Sequence, residues 1–276
     1  MTLAIALDIL REARSRRWII ALWGLSTLAL VVVALGLRLE VVDGALAATR
    51  LFGSTLRTDV RAVDVALRPL YLAVSYIVFY GGALLGIVAT ADFAPTLLAP
   101  GRIEQLLALP VRRWEVLAGT FLGVEALVLA GAAYGGAGVA ALLYLKTGIL
   151  NPGPVVAALG VAVAFAPVYA AMLLSVVVAR SAALSGGAGL LLLAAGLVAG
   201  QRTPLAELFH EGASRAVFLG LTALLPRLSA IATIGARLAE AQPVSAGPAA
   251  ALVAGTLAFA FGLLAVAIAR FERKDY

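Results

Sequence analysis

Residues Pro100 to Trp114 read Pro-Gly-Arg-Ile-Glu-Gln-Leu-Leu-Ala-Leu-Pro-Val-Arg-Arg-Trp. Arg102, Glu104, Arg112 and Arg113 lie in this stretch and Glu115 just beyond it, yet it joins two apolar segments that are each long enough to cross a bilayer. Charges at that density belong in water or at a membrane surface, so the stretch is a connector and its flanks are spans. Gly101 and Pro110 bracket about two turns in which Ile103, Leu106 and Leu107 share one face, the spacing of a small amphipathic helix over residues 101–109. Such a short helix is marginal alone and needs a partner surface to hold it.

Composition points the same way. Of 276 residues 63% are hydrophobic and 13% charged, with a mean hydropathy of +1.04, well above the roughly 45–50% apolar content of a soluble domain. The chain is therefore expected to be an all-α polytopic membrane protein. The apolar run from Trp18 to Leu37 is too long for the core of a signal peptide and has no small-residue cleavage site after it, so it is expected to be a retained helix. With no Cys, neither a disulfide nor a thiolate metal site is available, and His210, the single His, excludes a His-based metal cluster. The net charge of +6 points to anionic lipid headgroups rather than to nucleic acid. No polar segment is long enough to be a separate soluble domain, which leaves one membrane domain over 1–276.

In chain order, residues 2–17 carry Leu3, Leu7 and Leu10 on one face and predict an interfacial elbow helix before the first span, 18–37. The gap from Arg38 to Arg68 is too charged to span and is expected to form a surface helix or two. Further spans are expected at 69–91, opened by Pro69; at 116–145, long enough to tilt or break near Gly135 and Gly136; at 155–179; at 184–200; and at 248–269. Residues 205–241 alternate short apolar pieces with Pro226 and Arg227 and predict two short outer helices between the fifth and sixth spans. Six spans put both termini on one side. Lys and Arg divide almost evenly between the two sides, and only their density in short loops favours the cytoplasm for the termini.

Chemical motifs are missing: there is no phosphate-binding G-x-x-x-x-G-K-[ST], no G-x-S-x-G and no H-E-x-x-H. If ATP drives this protein, another chain binds it. Glu125 falls about ten residues into the third span, where a carboxylate costs roughly 2.5–3.5 kcal/mol on insertion scales. It must face a cavity, a polar partner or water, and with Tyr76 and Tyr80 it is a candidate lining residue of a translocation path. Ordinary interfacial and core packing is the competing account of the tyrosines. Four GxxxG pairs, Gly82/Gly86, Gly119/Gly123, Gly131/Gly135 and Gly196/Gly200, permit close helix packing, but about three are expected by chance at this glycine content, so they support packing and map no dimer face.

The run Gly101-Arg102-Ile103-Glu104-Gln105-Leu106-Leu107-Ala108-Leu109-Pro110-Val111-Arg112-Arg113 resembles the Gly-x-x-Glu-x-Leu-Leu-x-x-Pro-[VIL]-x-Arg stretch of ABC-2-type permeases. In sequence the resemblance is specific only from about Asp92 to Gly123; in layout it covers the whole chain, which is also similar to the permease of the nitrous-oxide reductase maturation system. It implies an exporter subunit in a prokaryotic cytoplasmic (inner) membrane, working as a homodimer with two copies of a separate ATPase that carries the ATP and Mg. The 101–109 helix would be the cytoplasmic coupling helix. Gly101 would start it, Ile103, Leu106 and Leu107 would be its apolar anchor, Arg102 and Glu104 its polar register, Pro110 its end, and Arg112 part of the same contact. The chain itself would be no enzyme and hold no cofactor. The competing classes are an ATP-independent secondary transporter or channel, which would show inverted repeats or several midplane charges, and a membrane scaffold that relays ATPase motion to an outer partner.

Overall fold

The computed structural model describes residues 1–274 except 16, 43–44, 52–53, 58–60, 109 and 241. Leu109 and Ala241, the far ends of the expected coupling helix and outer segment, thus lie outside the described residues, as do Arg16 of the expected elbow and the side chain of Leu107. The order is α1 (Thr2–Ser15), α2 (Arg17–Gly36), β1 (Leu37–Val42), β2 (Ala45–Leu51), β3 (Ser54–Arg57), β4 (Arg61–Ala62), then α3 (Val63–Thr90), α4 (Phe93–Leu97) and α5 (Arg102–Leu107). It continues with α6 (Arg113–Thr147), α7 (Gly153–Ala179), α8 (Ala182–Gly200), α9 (Arg202–Ala206), α10 (Ala213–Ala223), α11 (Leu228–Ala239) and α12 (Ala246–Glu272).

Among the described residues, five helical segments are long and apolar enough to cross a membrane: Arg68–Leu97, α6, α7, α8 and α12. Helices α10 and α11 meet the same test only as a pair, bent by 73° at the Pro226 break, which raises the number to at most six. Their surfaces are inverted relative to a soluble protein. Leu145, Leu191 and Ile77 are 81%, 74% and 70% exposed, the pattern of helices whose outer faces meet hydrocarbon.

Helix α7 is the centre. It is apolar all round, and Phe165, Tyr169, Met172, Leu173 and Val176 are fully buried on it, because α3, α6, α8, α11 and α12 pack around its circumference. Small residues set how closely they approach. A Cβ on Gly136 would stand 2.6 Å from Cβ of Ala158, and one on Gly235 would stand 2.9 Å from Cβ of Ala157, so α6 and α11 touch α7 nearly backbone to backbone. Helix α6 runs unbroken through Gly135 and Gly136 for 35 residues. That is about 52 Å at 1.5 Å per residue, well beyond the roughly 30 Å of hydrocarbon, and the excess projects at its ends.

Two expectations differ from what is seen. Where a surface helix or two was expected between 38 and 68, the backbone forms an antiparallel sheet in which β2 pairs with β1, β3 and β4, Leu37 standing opposite Leu51. The reason is legible in the alternation of Leu37, Leu39 and Val41 with Arg38 and Glu40, a period of two rather than 3.6. Helix α3 then begins at Val63, so Pro69 sits inside it rather than opening it. The exposed face of α1 carries Leu3 and Leu7, but Ile5, Ala6, Ile9 and Ala13 are buried, because α1 packs along α6.

Candidate functional site

The charged turn and the chain ends meet at one end of the bundle. Between α4 and α5 the chain reverses through Gly101, whose φ of 84° is a left-handed conformation that glycine adopts without penalty. The carbonyl of Ala99 accepts from the N–H groups of Arg102 and Ile103, each at 3.2 Å, which starts α5. The helix has two faces of opposite character. Ile103 is 2% exposed and belongs to the main apolar core, with Leu106 and Val111 packed half-buried against it. Glu104, Gln105, Ala108, Pro110 and Arg112 are exposed. Ile103, expected in an outward anchor, therefore faces the bundle, since the core is the nearest apolar surface to a helix this short.

Arg102 does not project freely either. Its guanidinium donates to Glu12 on α1 through both Nη atoms, Nη1 to Oε1 at 3.3 Å and Nη2 to Oε2 at 2.5 Å, with Asp8 at 3.9 Å. Donating to Glu12 holds the guanidinium above its ordinary pKa, and the charges of Glu12 and Asp8 add to that. Two-pronged pairing of this kind fixes orientation as well as distance. Helix α1 is in turn seated on α6. The ammonium group of Met1 lies 3.4 Å from Glu115, and Cβ atoms on Gly119 and Gly123 would lie 2.7 Å and 2.8 Å from the Cβ atoms of Ile5 and Ile9. Contacts four residues apart on both helices show that α1 and α6 run side by side in the same direction.

The other terminus is tied to the same place. Arg113 Nη1 donates to the carbonyls of Glu272 at 3.1 Å and Lys274 at 2.5 Å, and Lys274 Nζ donates to the carbonyls of Val177 and Val178 at 2.5 and 3.2 Å. The lysine thereby satisfies orphan carbonyls at the end of α7 with a cation, where the helix dipole favours one. Neither Lys274 nor the partnership of Glu12 with Arg102 could be found from local spacing.

Glu125 lies elsewhere, in a cavity of about 380 Å³ between α6, α7 and α12, with Phe121, Leu129, Leu159, Leu257 and Phe261 among its walls. Its Oε1 is buried and makes no hydrogen bond. Tyr76 and Tyr80 stack on each other along α3 with ring centroids 5.9 Å apart and do not line that cavity, so the three candidate path residues are not brought together. Among the described residues no three of His, Cys, Asp and Glu cluster as a metal site requires.

Of the GxxxG pairs, Gly119/Gly123 seats α1. Gly196 and Gly200 receive Leu228 and Ser229 at the start of α11, and Gly82 and Gly86 face Val161 and Phe165 of α7. Gly131 and Gly135 face open space.

No curated protein matches the chain significantly. The model of a family described as ABC-2 family transporter protein matches residues 3–276, from the first turn of α1 past the end of α12. With its bundle of membrane-crossing helices and its charged turn beside both chain ends, the protein belongs to the ABC-2 family, as a transmembrane permease of an ABC transporter.

Proposed function

We propose that two copies of this chain form the path of an exporter in a prokaryotic cytoplasmic membrane, and that each docks a separate ATPase through the turn at residues 100–114. The observation that carries this reading is that the turn and both termini converge on one end of the bundle through Met1–Glu115, Arg102–Glu12 and Arg113–Lys274. A docking element must be held from behind and open in front. Ile103 and Arg102 hold α5 to the bundle, while Gly101, Glu104, Gln105, Ala108, Pro110 and Arg112 face outward. Leu106, half-buried, lies at the border of the two faces, and Leu107 is its neighbour in the last turn. In this reading the end that holds the turn is cytoplasmic, α1 is the elbow, and α10 with α11 lies toward the opposite surface.

The mechanism follows from the ties. Closure of the ATPases on ATP displaces the turn; Arg102 transmits the displacement to α1, which is packed on α6, and Arg113 transmits it to the end of α12. Both routes drive helices around α7 as bodies rather than bending them, the usual way a small shift at a docking site becomes a change of state. This chain binds and relays; nucleotide chemistry, with its Mg, stays on the partner.

The test is ATP turnover and substrate flux in vesicles holding the permease with its ATPase. Turnover that rises on adding the permease, with flux that needs ATP, supports an exporter. Flux without ATP would mark a secondary transporter or channel, and stimulated turnover without flux a relay to another protein.

A further inference from the structure

The cavity beside Glu125 is unusual in its chemistry. Phe121, Leu129, Leu159 and Phe261 contribute apolar walls, and Glu125 is the single ionisable group among the lining residues. Its Oε1 is buried with no partner from the chain. Water is a poor answer to it, because an ordered water needs two to four polar partners and these walls offer one side chain that can supply them. A carboxyl group against such walls holds a charge only when a counter-charge stands beside it, and a cationic ligand would bring one.

The walls specify what kind. Phe121 and Phe261 both line the cavity, with ring centroids 6.4 Å apart and planes at 53°, so two aromatic side chains border the space beside the carboxyl group. Carboxylate together with aromatic faces is the donor set that receives ammonium and quaternary ammonium groups. At about 380 Å³ the cavity holds one compact headgroup and the methylenes next to it, near the lower bound of small-molecule sites. Its rim is formed by Leu129, Leu159 and Phe261, which are 45%, 44% and 57% exposed on the outer surface of the bundle. A ligand thus enters sideways, from the hydrocarbon that bathes those residues, and leaves its tail there.

We propose that this cavity binds an alkylammonium amphiphile dissolved in the membrane, with Glu125 as the counter-charge and Phe121 and Phe261 as the aromatic faces of its headgroup site. The proposal requires neither the turn at 100–114 nor nucleotide, so loss of ATPase docking leaves it standing.

The experiment uses the full chain in phosphatidylcholine nanodiscs, photolabelled with a diazirine-bearing octylammonium or with the neutral diazirine-bearing octanol, the labelled peptides being mapped by mass spectrometry. The ammonium probe is expected to label α6, α7 and α12 saturably and about tenfold more than the alcohol, a difference within reach of one charge pair and a cation–π contact. Glu125→Gln should bring its labelling down to the level of the alcohol, and Glu125→Asp should retain most of it. Ala162→Phe, which fills the cavity and leaves the carboxyl group in place, should abolish it and covers the case in which Glu125→Gln fails to insert. Equal labelling by both probes, or ammonium labelling that survives Ala162→Phe, would overturn the proposal and make Glu125 a passive group in an apolar wall.

Discussion

Arg102 and Glu12, 90 positions apart in the chain, are joined by a two-pronged ion pair that ties the turn between α4 and α6 to the N-terminal helix. The pair is only partly screened, Arg102 being 33% and Glu12 20% exposed, and it sits behind the outward face of α5 rather than on it. The turn is thereby tied to α1 by side chains as well as to α6, into which it runs directly at Arg113.

Breaking the pair should therefore cost more in coupling than in stability. Arg102→Ala or Glu12→Gln is expected to lower stability by only about 1 kcal/mol. The same variants should reduce permease-stimulated ATP turnover severalfold. In a double-mutant cycle Arg102→Ala with Glu12→Gln should be no worse than either alone. Additive losses would show that the two residues act separately.

The seat of α1 on α6 makes a sharp contrast between two glycine pairs of identical spacing. Gly123→Leu drives a side chain into Ile9 and the carbonyl of Ala6, and is expected to destabilise by about 1–3 kcal/mol, read as a lower melting temperature in detergent. Gly131→Leu meets nothing within 4 Å and should stay within about 0.5 kcal/mol of the parent. Equal effects would mean that α1 is not held there.

The two faces of α5 separate in the same assay. Ile103→Ala empties a buried position and should cost about 2–5 kcal/mol, whereas Glu104→Ala, on the exposed face, should be close to neutral. A neutral Ile103→Ala would return that side chain to the outward face.

Lys274 gives a fourth contrast. Lys274→Ala removes the cation at the carbonyls of Val177 and Val178 and should cost about 1–2 kcal/mol. Lys274→Arg, which keeps charge and donors, should recover part of the loss. No recovery would mean that the ammonium group is not what holds the ends of α7 and α12 together.

How much of this was legible in the chain depends on the range of the signal. Gly101, Pro110 and the charges between them mark a turn with a short helix because their spacing is local, and the long apolar runs mark spans for the same reason. The direction in which Ile103 points was not legible, since an amphipathic helix shows that one face is apolar but not which neighbour covers it. The sheet of β1 to β4 shows in the sequence as a two-residue alternation at Leu37, Leu39 and Val41, a signal masked by the charges of the same segment. Glu125 stood out by its cost in a span, yet its cavity exists only because α7 and α12 bring Leu159 and Phe261 beside it. The partnership of Arg102 with Glu12 leaves no local trace at all.

In the proposed function the ATPase docks on the outward face of this turn. The most direct measurement is co-purification of the cognate ATPase with the affinity-tagged permease carrying Glu104→Arg or Ala108→Asp, both on the exposed face of the turn. The ATPase is expected to be lost from the purified complex while membrane insertion and the melting temperature of the permease are unchanged. An ATPase that co-purifies with both variants as it does with the parent chain would contradict it.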